Sequence, residues 1–333
     1  MGVAKSNVEA GNYDAAKPAL DKLVQNYAGH PGLAEALERI ALQYRKAGKF
    51  AEAKGLYQKI VQTDPNGVFG GRGRVKISEM DVLSTIVYGN DAAAETAINS
   101  FIVNFAGDAA VPAALTDIAW EYEKAGKYQQ AKNVYQKIIE CYPDNFRAGK
   151  AFIEITKGQI LELIKAGQDD KISSEVDKLV AAYPNHAFLP DALCQIADGY
   201  YNKATQDSKQ PNDYFCKAEA IYQKVIDTLP ASRNFVPRAC CRTGDCYREL
   251  REYEKSINYY HKVINDYPTY GMAWSVLFEV GHNYQRMGES GVISKSEANV
   301  KTKAAYEQLL AKYPDCKAAT AAQNWLLQQV SSK

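Results

Sequence analysis

The sequence predicts an all-α solenoid of stacked helical hairpins with a capping helix at its C-terminal end, and three observations predict it. First, residues 36–65, ALERIALQYRKAGKFAEAKGLYQKIVQTDP, align without a gap on residues 114–143, ALTDIAWEYEKAGKYQQAKNVYQKIIECYP, at an offset of 78. Similarity at a fixed distance marks architectures in which each unit buries its apolar face on the next. Second, Leu37, Ile40, Ala41 and Tyr44 fall at i, i+3, i+4 and i+7, and Ala53, Tyr57, Ile60 and Val61 repeat that spacing, so each stretch has one apolar helical face. Third, a stop recurs along the whole chain, normally an aromatic residue followed by proline or alanine.

Those stops lie at Tyr27-Ala28, Asp64-Pro65, Phe105-Ala106, Tyr142-Pro143, Tyr183-Pro184, Leu229-Pro230, Tyr267-Pro268 and Tyr313-Pro314. They delimit eight hairpins, at 1–28, 31–65, 69–106, 110–143, 147–184, 188–230, 235–268 and 271–314, and a cap at 317–330. Successive spacings of 37, 41, 37, 41, 46, 38 and 46 alternate, so insertions recur at preferred places. In the first hairpin the second helix, from Tyr13, is complete. Only about ten residues precede it, and the chain is expected to begin inside a repeat, as a segment of something longer. That hairpin leaves an apolar edge that a second copy can cover, which makes self-association through the N-terminal edge an expectation. Hairpins two and four are the regular copies, turned by Lys-Ala-Gly-Lys-aromatic. Hairpins three and five match each other, Arg74-Val-Lys-Ile-Ser against Phe152-Ile-Glu-Ile-Thr, but carry Thr85 and Leu163 where the others have tyrosine. In hairpins six and eight, Tyr200 and Tyr284 lie 18 residues from Ala218 and Thr302, double the separation in hairpin two. The nine extra residues, around 204–213 and 288–297, read as exposed loops or extended helix ends. In the cap, Ala318, Ala322, Trp325 and Leu326 share one face that suits the open edge of the last hairpin.

Ten positions recur in register: Leu37, Ile40, Ala41, Tyr44, Gly48, Phe50, Ala53, Tyr57, Ile60 and Pro65, and again Leu115, Ile118, Ala119, Tyr122, Gly126, Tyr128, Ala131, Tyr135, Ile138 and Pro143. This pattern resembles the tetratricopeptide repeat (TPR) family. The resemblance implies a right-handed α-α superhelical solenoid that acts as a non-catalytic scaffold, holding a protein or peptide partner in a concave groove lined by the first helix of each hairpin. The phrase FIVNFAGDAAVPAAL resembles bacterial cell-envelope TPR proteins of the outer-membrane-assembly lipoprotein and Tol-Pal coordinator type. That likeness implies a periplasmic or envelope-associated assembly role. Seven cysteines count against an oxidising compartment, and no signal peptide is legible after Met1.

Composition narrows the function classes. Forty basic and 39 acidic residues leave a net charge of +1, which gives no footprint for nucleic acid or an anionic surface. No apolar run approaches the roughly 18 residues of a membrane span. Tyrosine is abundant, with 23 copies against 10 Phe and 3 Trp, and suits interfaces that are apolar on one side and wet on the other. No HExxH, GxSxG, phosphate-loop or dinucleotide motif occurs, so no cofactor, metal or catalytic residue is expected. The glycine cluster at 67–74 could be offered as a phosphate cradle or Arg-Gly tract. It aligns with 145–152, however, and is expected to be the turn between hairpins. His30 and His186 follow helix stops, where capping or surface roles are expected. Cys240, Cys241 and Cys246 lie in one helix at spacings that suit burial better than zinc. The paired acids at 121 and 123 and at 169 and 170 are expected at solvated helix ends.

Register places candidate groove residues on each first helix. Hairpin two offers Glu35, Glu38, Arg39, Arg45 and Lys46. Hairpin four offers Thr116, Trp120, Glu123 and Lys124, and hairpin six Cys194, Asp198, Tyr201 and Asn202. Hairpin seven offers Arg238, Arg242, Asp245 and Arg248, and hairpin eight Phe278, His282, Gln285 and Arg286. The set chosen as partner-binding is Arg45, Trp120, Glu123, Tyr201, Arg238, Arg242, Arg248, Phe278 and His282, because arginine and aromatics are the commonest anchors. The alternative for the aromatics is packing against neighbouring helices. Arg238 and Arg242 resemble part of the carboxylate clamp of chaperone-binding TPR domains, and Lys157 fits another part, but Leu161 and Gln195 stand where that clamp has asparagines. A looser preference for acidic peptides at hairpin seven is the remaining form of that expectation. A rival reading makes the chain a regulatory or structural segment of a larger polypeptide whose active domain lies elsewhere.

Overall fold

The computed structural model describes residues 2–206, 209–229 and 232–331, and among them are seventeen α-helices and no strand. They pair as α1 (Gly2–Glu9) with α2 (Tyr13–Asn26), α3 (Leu33–Lys46) with α4 (Phe50–Thr63), α5 (Val68–Val87) with α6 (Asp91–Asn104), and α7 (Val111–Lys124) with α8 (Tyr128–Cys141). Then come α9 (Phe146–Ala166) with α10 (Ile172–Ala182), α11 (Leu189–Gln206) with α12 (Pro211–Thr228), α13 (Phe235–Glu249) with α14 (Tyr253–Asp266), and α15 (Ala273–Glu289) with α16 (Lys295–Lys312). The cap is α17 (Ala319–Ser331).

Seven hairpins close on a residue in the left-handed region. Six use glycine (Gly11, Gly48, Gly89, Gly126, Gly167 and Gly291), and the seventh uses Arg251 at φ 63°. The amide that follows reaches back five residues, Lys49 N–H to the Tyr44 carbonyl at 2.9 Å and Glu252 N–H to the Tyr247 carbonyl at 2.8 Å. This is the Schellman closure that a left-handed residue makes available.

Two expectations change. The insertions at 204–213 and 288–297 do not form long loops where they are described: α11, α12 and α16 each run 18 residues and α15 runs 17, so they lengthen the helices. Residues 207, 208 and 230 lie outside the described residues, and with them the proline expected to stop α12. The glycine cluster is not a turn either, because α5 already begins at Val68. The Asp64 carboxylate, standing where other stops carry an aromatic, accepts the Phe69 and Gly70 amides at 3.0 and 3.3 Å and so caps α5. A Cβ on Gly70 would overlap the Asp64 carbonyl, so these glycines let one helix start against the end of the one before.

The chain divides into two compact units, residues 1–152 and 153–333, with the division inside α9. In the first, α1, α3, α5 and α7 touch in succession and each packs on its even-numbered partner. Leu37, Ile40, Ala41, Leu115, Ile118 and Ala119 are fully buried there. In the second, α11 to α17 pack in chain order around one continuous core running from Ile153 to Ala322. In the last two hairpins the small position of the odd helix is a seat for a tyrosine on the next even helix: a Cβ on Gly244 would overlap the Tyr260 ring, and one on Gly281 the Tyr306 ring. Ala318, just before α17, and Ala322 on it are buried, and Trp325 meets Tyr306 edge-on at 5.4 Å.

Candidate interaction surface

In residues 1–152 the odd helices carry an ionic cluster around Glu79 of α5, whose side chain is 0% exposed. Lys76, one turn earlier, donates to its Oε2 at 2.5 Å, and an Arg45 guanidinium nitrogen lies 3.5 Å from its Oε1. Asp117 of α7 joins from the other side, 3.0 Å from Arg45 and 3.5 Å from Lys76. Burial pushes the Glu79 carboxyl above its ordinary value, with Lys76 and Arg45 pulling the other way. Its Oε1 and the Arg45 Nε make no hydrogen bond. Arg45, expected at the groove surface, is therefore largely withdrawn as a structural cation.

Three residues beyond Asp117, Trp120 is 52% exposed. The Lys124 ammonium lies 4.7 Å from its ring centroid and also bonds to Glu121 at 2.9 Å. A cation over the ring holds the indole to the helix surface without covering it from a neighbouring helix. Glu123 is half-buried on the same helix.

In residues 153–333 charges alternate across three helices. Asp198 of α11 accepts from Arg238 of α13 at 2.5 Å and lies 3.5 Å from Arg242. Asp191 stands 3.4 Å from Arg238. Asp245 accepts from Arg242 at 3.3 Å and lies 3.6 Å from Arg248, which bonds to Glu279 of α15 and to Glu249, both at 2.9 Å. Buried tyrosines of the even helices donate into the same row, Tyr222 to Asp198 and Tyr260 to Asp245, the latter at 2.7 Å. Each phenol is held well above its ordinary pKa, first by burial and then by the carboxylate it serves. Burial raises the Asp245 carboxyl too, against the Tyr260 hydrogen bond and the arginines. Three guanidiniums thus meet five carboxylates, and none of the three is without one.

The six candidates of this unit form one connected set. The Arg242 guanidinium lies 4.9 Å from the Tyr201 ring centroid, and Tyr201 meets Phe215 edge-on at 5.3 Å. Burial pushes the Tyr201 phenol up to about 12. Phe278 stacks on Tyr306 at 5.3 Å and touches His282 at 4.4 Å, and the His282 Nδ1 lies 3.8 Å from Glu279. Tyr201 and Phe278 are thus half-buried packing residues, unlike Trp120. Register reasoning missed Lys76, Glu79 and Asp117, and also Asp191 and Glu279. The last two had a legible signal, an acid on an odd helix facing arginine on the next. Glu79 had none, because it sits in the degenerate third hairpin.

The remaining polar candidates take structural places. The Nδ1 atoms of His30 and His186 accept the amides of Gly32 and Phe188, at 3.0 and 3.4 Å, in matching turns. Asp169, expected at a solvated end, is tied to Tyr200 at 3.1 Å and Lys217 at 2.9 Å. All seven cysteines are free thiols, with Cys194, Cys240 and Cys246 buried. Burial pushes the Cys240 thiol up to about 11. Among the described residues no group of three or more His, Cys, Asp or Glu is placed to hold a metal, and no helix is long and apolar enough to cross a membrane.

Helical hairpins in series, with ionic rows on their first helices, define a repeat protein of the α-α solenoid class. Models of the tetratricopeptide repeat match residues 4–68, 113–145 and 242–270. No curated protein sequence matches the chain. Among solved structures, the human IFIT1 dimer with PPP-AAAA is similar at 15% identity and a TM-score of 0.47, over 96% of this chain and 69% of that one. The C-terminal part of a TPR repeat-containing protein from Cytophaga hutchinsonii is similar at 17% identity and a TM-score of 0.45, over 85% of this chain and 98% of that one. A TPR protein of Thermus thermophilus is similar at 14% identity and a TM-score of 0.36, over 65% of this chain and 99% of that one.

Proposed function

We propose that the chain is a non-catalytic scaffold that takes a protein or peptide partner on its odd-numbered helices, with Trp120 as the principal anchor of the first unit. Tetratricopeptide repeats generally mediate protein-protein interaction, and the observation that carries the reading to a residue is the exposure of Trp120. Half of a large aromatic surface stands in water although the same helix buries Leu115, Ile118, Ala119 and Tyr122. Aromatic anchors of this kind dominate binding energy when a partner covers them. In the second unit the contact surface is the ionic row itself, with Arg238, Arg242 and His282 at its exposed edge. A partner there must match alternating signs.

Capture from a lysate of the source cells by the immobilised full chain, compared with the Trp120→Ala chain, tests this reading. Equal capture by both removes the anchor role. A place in bacterial cell-envelope assembly rests on the sequence resemblance alone; fractionation that finds the protein in the cytoplasm ends it.

A further inference from the structure

Arg251 closes the seventh hairpin at φ 63°, where six other hairpins use glycine. The left-handed region is unfavourable for any residue with a Cβ, and a residue kept there against that preference points to a use for its side chain. Arg251 lines a cleft of about 490 Å³ with Arg248, Glu249, Arg286 and Glu289, completed by Tyr253 and Ser290. The cleft lies where the α13–α14 turn meets the end of α15, away from the row formed by Asp198, Arg238 and Arg242. Arg248 is committed to Asp245, Glu249 and Glu279. Arg251 and Arg286, in contrast, form no side-chain hydrogen bond or ion pair among the described residues, and neither does Glu289.

We propose that this cleft binds a carboxylate presented by a peptide, held by the guanidiniums of Arg251 and Arg286. With Arg248 and Glu249 committed, the two uncommitted guanidiniums against the one uncommitted carboxylate, Glu289, leave one positive charge in excess, which a single carboxylate neutralises and a phosphate dianion overshoots. The planar fork of arginine matches the two oxygens of a carboxylate. Glu249, engaged by Arg248, and Glu289, unpaired, disfavour a second negative charge close by, so a cluster of acids is the wrong ligand. That the carboxylate comes on a peptide rests on the scaffold reading; the anion site itself does not.

The test is fluorescence anisotropy of labelled eight-residue Gly/Ser peptides titrated with the full chain. One peptide has a free C-terminus, a second an amidated C-terminus with one internal glutamate, a third an amidated C-terminus and no carboxylate, and a fourth replaces the glutamate with phosphoserine. Binding of the first or the second, with the third at least tenfold weaker, supports the site and names the source of the carboxylate. Arg251→Gly and Arg286→Gln are each expected to weaken that binding at least tenfold. Arg251→Gly also relieves the left-handed strain, so its Tm should equal or exceed the wild type, which separates loss of the site from loss of the fold. Unchanged affinity in Arg251→Gly, equal binding of the third peptide, or tightest binding of the phosphoserine peptide would overturn the proposal. Failure here leaves the scaffold reading standing if Trp120→Ala still abolishes partner capture, and the converse result separates the two in the other direction.

Discussion

The two units solve the same problem, polar residues on helices that must stack, in different ways. In residues 1–152 the charges of α3, α5 and α7 gather around a fully buried Glu79, and Trp120 of α7 is left half in water. In residues 153–333 the charges of α11, α13 and α15 stay half-exposed in a row, pinned from below by Tyr222 and Tyr260, while Tyr201 and Phe278 are drawn into packing. Where an ionic cluster is buried, a carboxylate suffers for it and the exposed surface is free to be aromatic. Where the row stays wet, arginine and carboxylate neutralise each other at the surface, and free cationic capacity is found elsewhere, at the turn that carries Arg251.

The largest expected effect is at the pinned row. Asp245→Ala leaves the buried Tyr260 phenol without its acceptor and Arg242 and Arg248 without a shared partner, and should cost about 3 kcal/mol in denaturant unfolding. A loss near zero would mean that the row is decoration. Next is the seat: Gly244→Ala forces a Cβ into the Tyr260 ring and should cost about 1–3 kcal/mol. The equivalent positions of the first unit, Ala41 and Ala119, already carry a Cβ, so the cost is local to hairpins seated on glycine.

Two glutamates then set the units apart by pH. Burial raises the Glu79 pKa above 4.5, so the folded state keeps a proton that the unfolded chain has released, and that contribution to stability falls as pH rises through the window above 4.5. Glu279 is also opposed by burial, but the His282 and Arg248 contacts outweigh it and lower its pKa, so its contribution is present above 4.5 and is lost as pH falls through the lowered value. In Tm measured from about pH 4 to about pH 7, Glu79→Gln should gain on the wild type as pH rises and Glu279→Gln should fall behind it. Parallel curves for the two variants would erase the distinction. The smallest effect on stability is at the surface: Trp120→Ala should shift unfolding by no more than about 0.5 kcal/mol.

How much of this was legible in the sequence follows from where each signal resides. Hairpins and stops were legible because a seat and its tyrosine lie on one short stretch, 16 residues apart at Ala41–Tyr57, Ala119–Tyr135 and Gly244–Tyr260. The nine-residue insertions keep that pairing at 25 for Gly281–Tyr306, which is why they lengthen helices rather than break them. The start of α5 was missed because its cap, Asp64, belongs to the helix before it. Arg238 looked free because its carboxylates, Asp191 and Asp198, lie 47 and 40 residues away. Glu79 reads as one more acid on a helix, since burial depends on neighbours brought in by α3 and α7.

The measurement that bears most directly on the central claim is partner capture by the full chain and by Trp120→Ala, quantified for each captured protein with Tm recorded for both chains. The account predicts equal Tm and at least a tenfold loss of one or more captured proteins in the variant, the size expected of an aromatic anchor. Identical capture at equal Tm would contradict it.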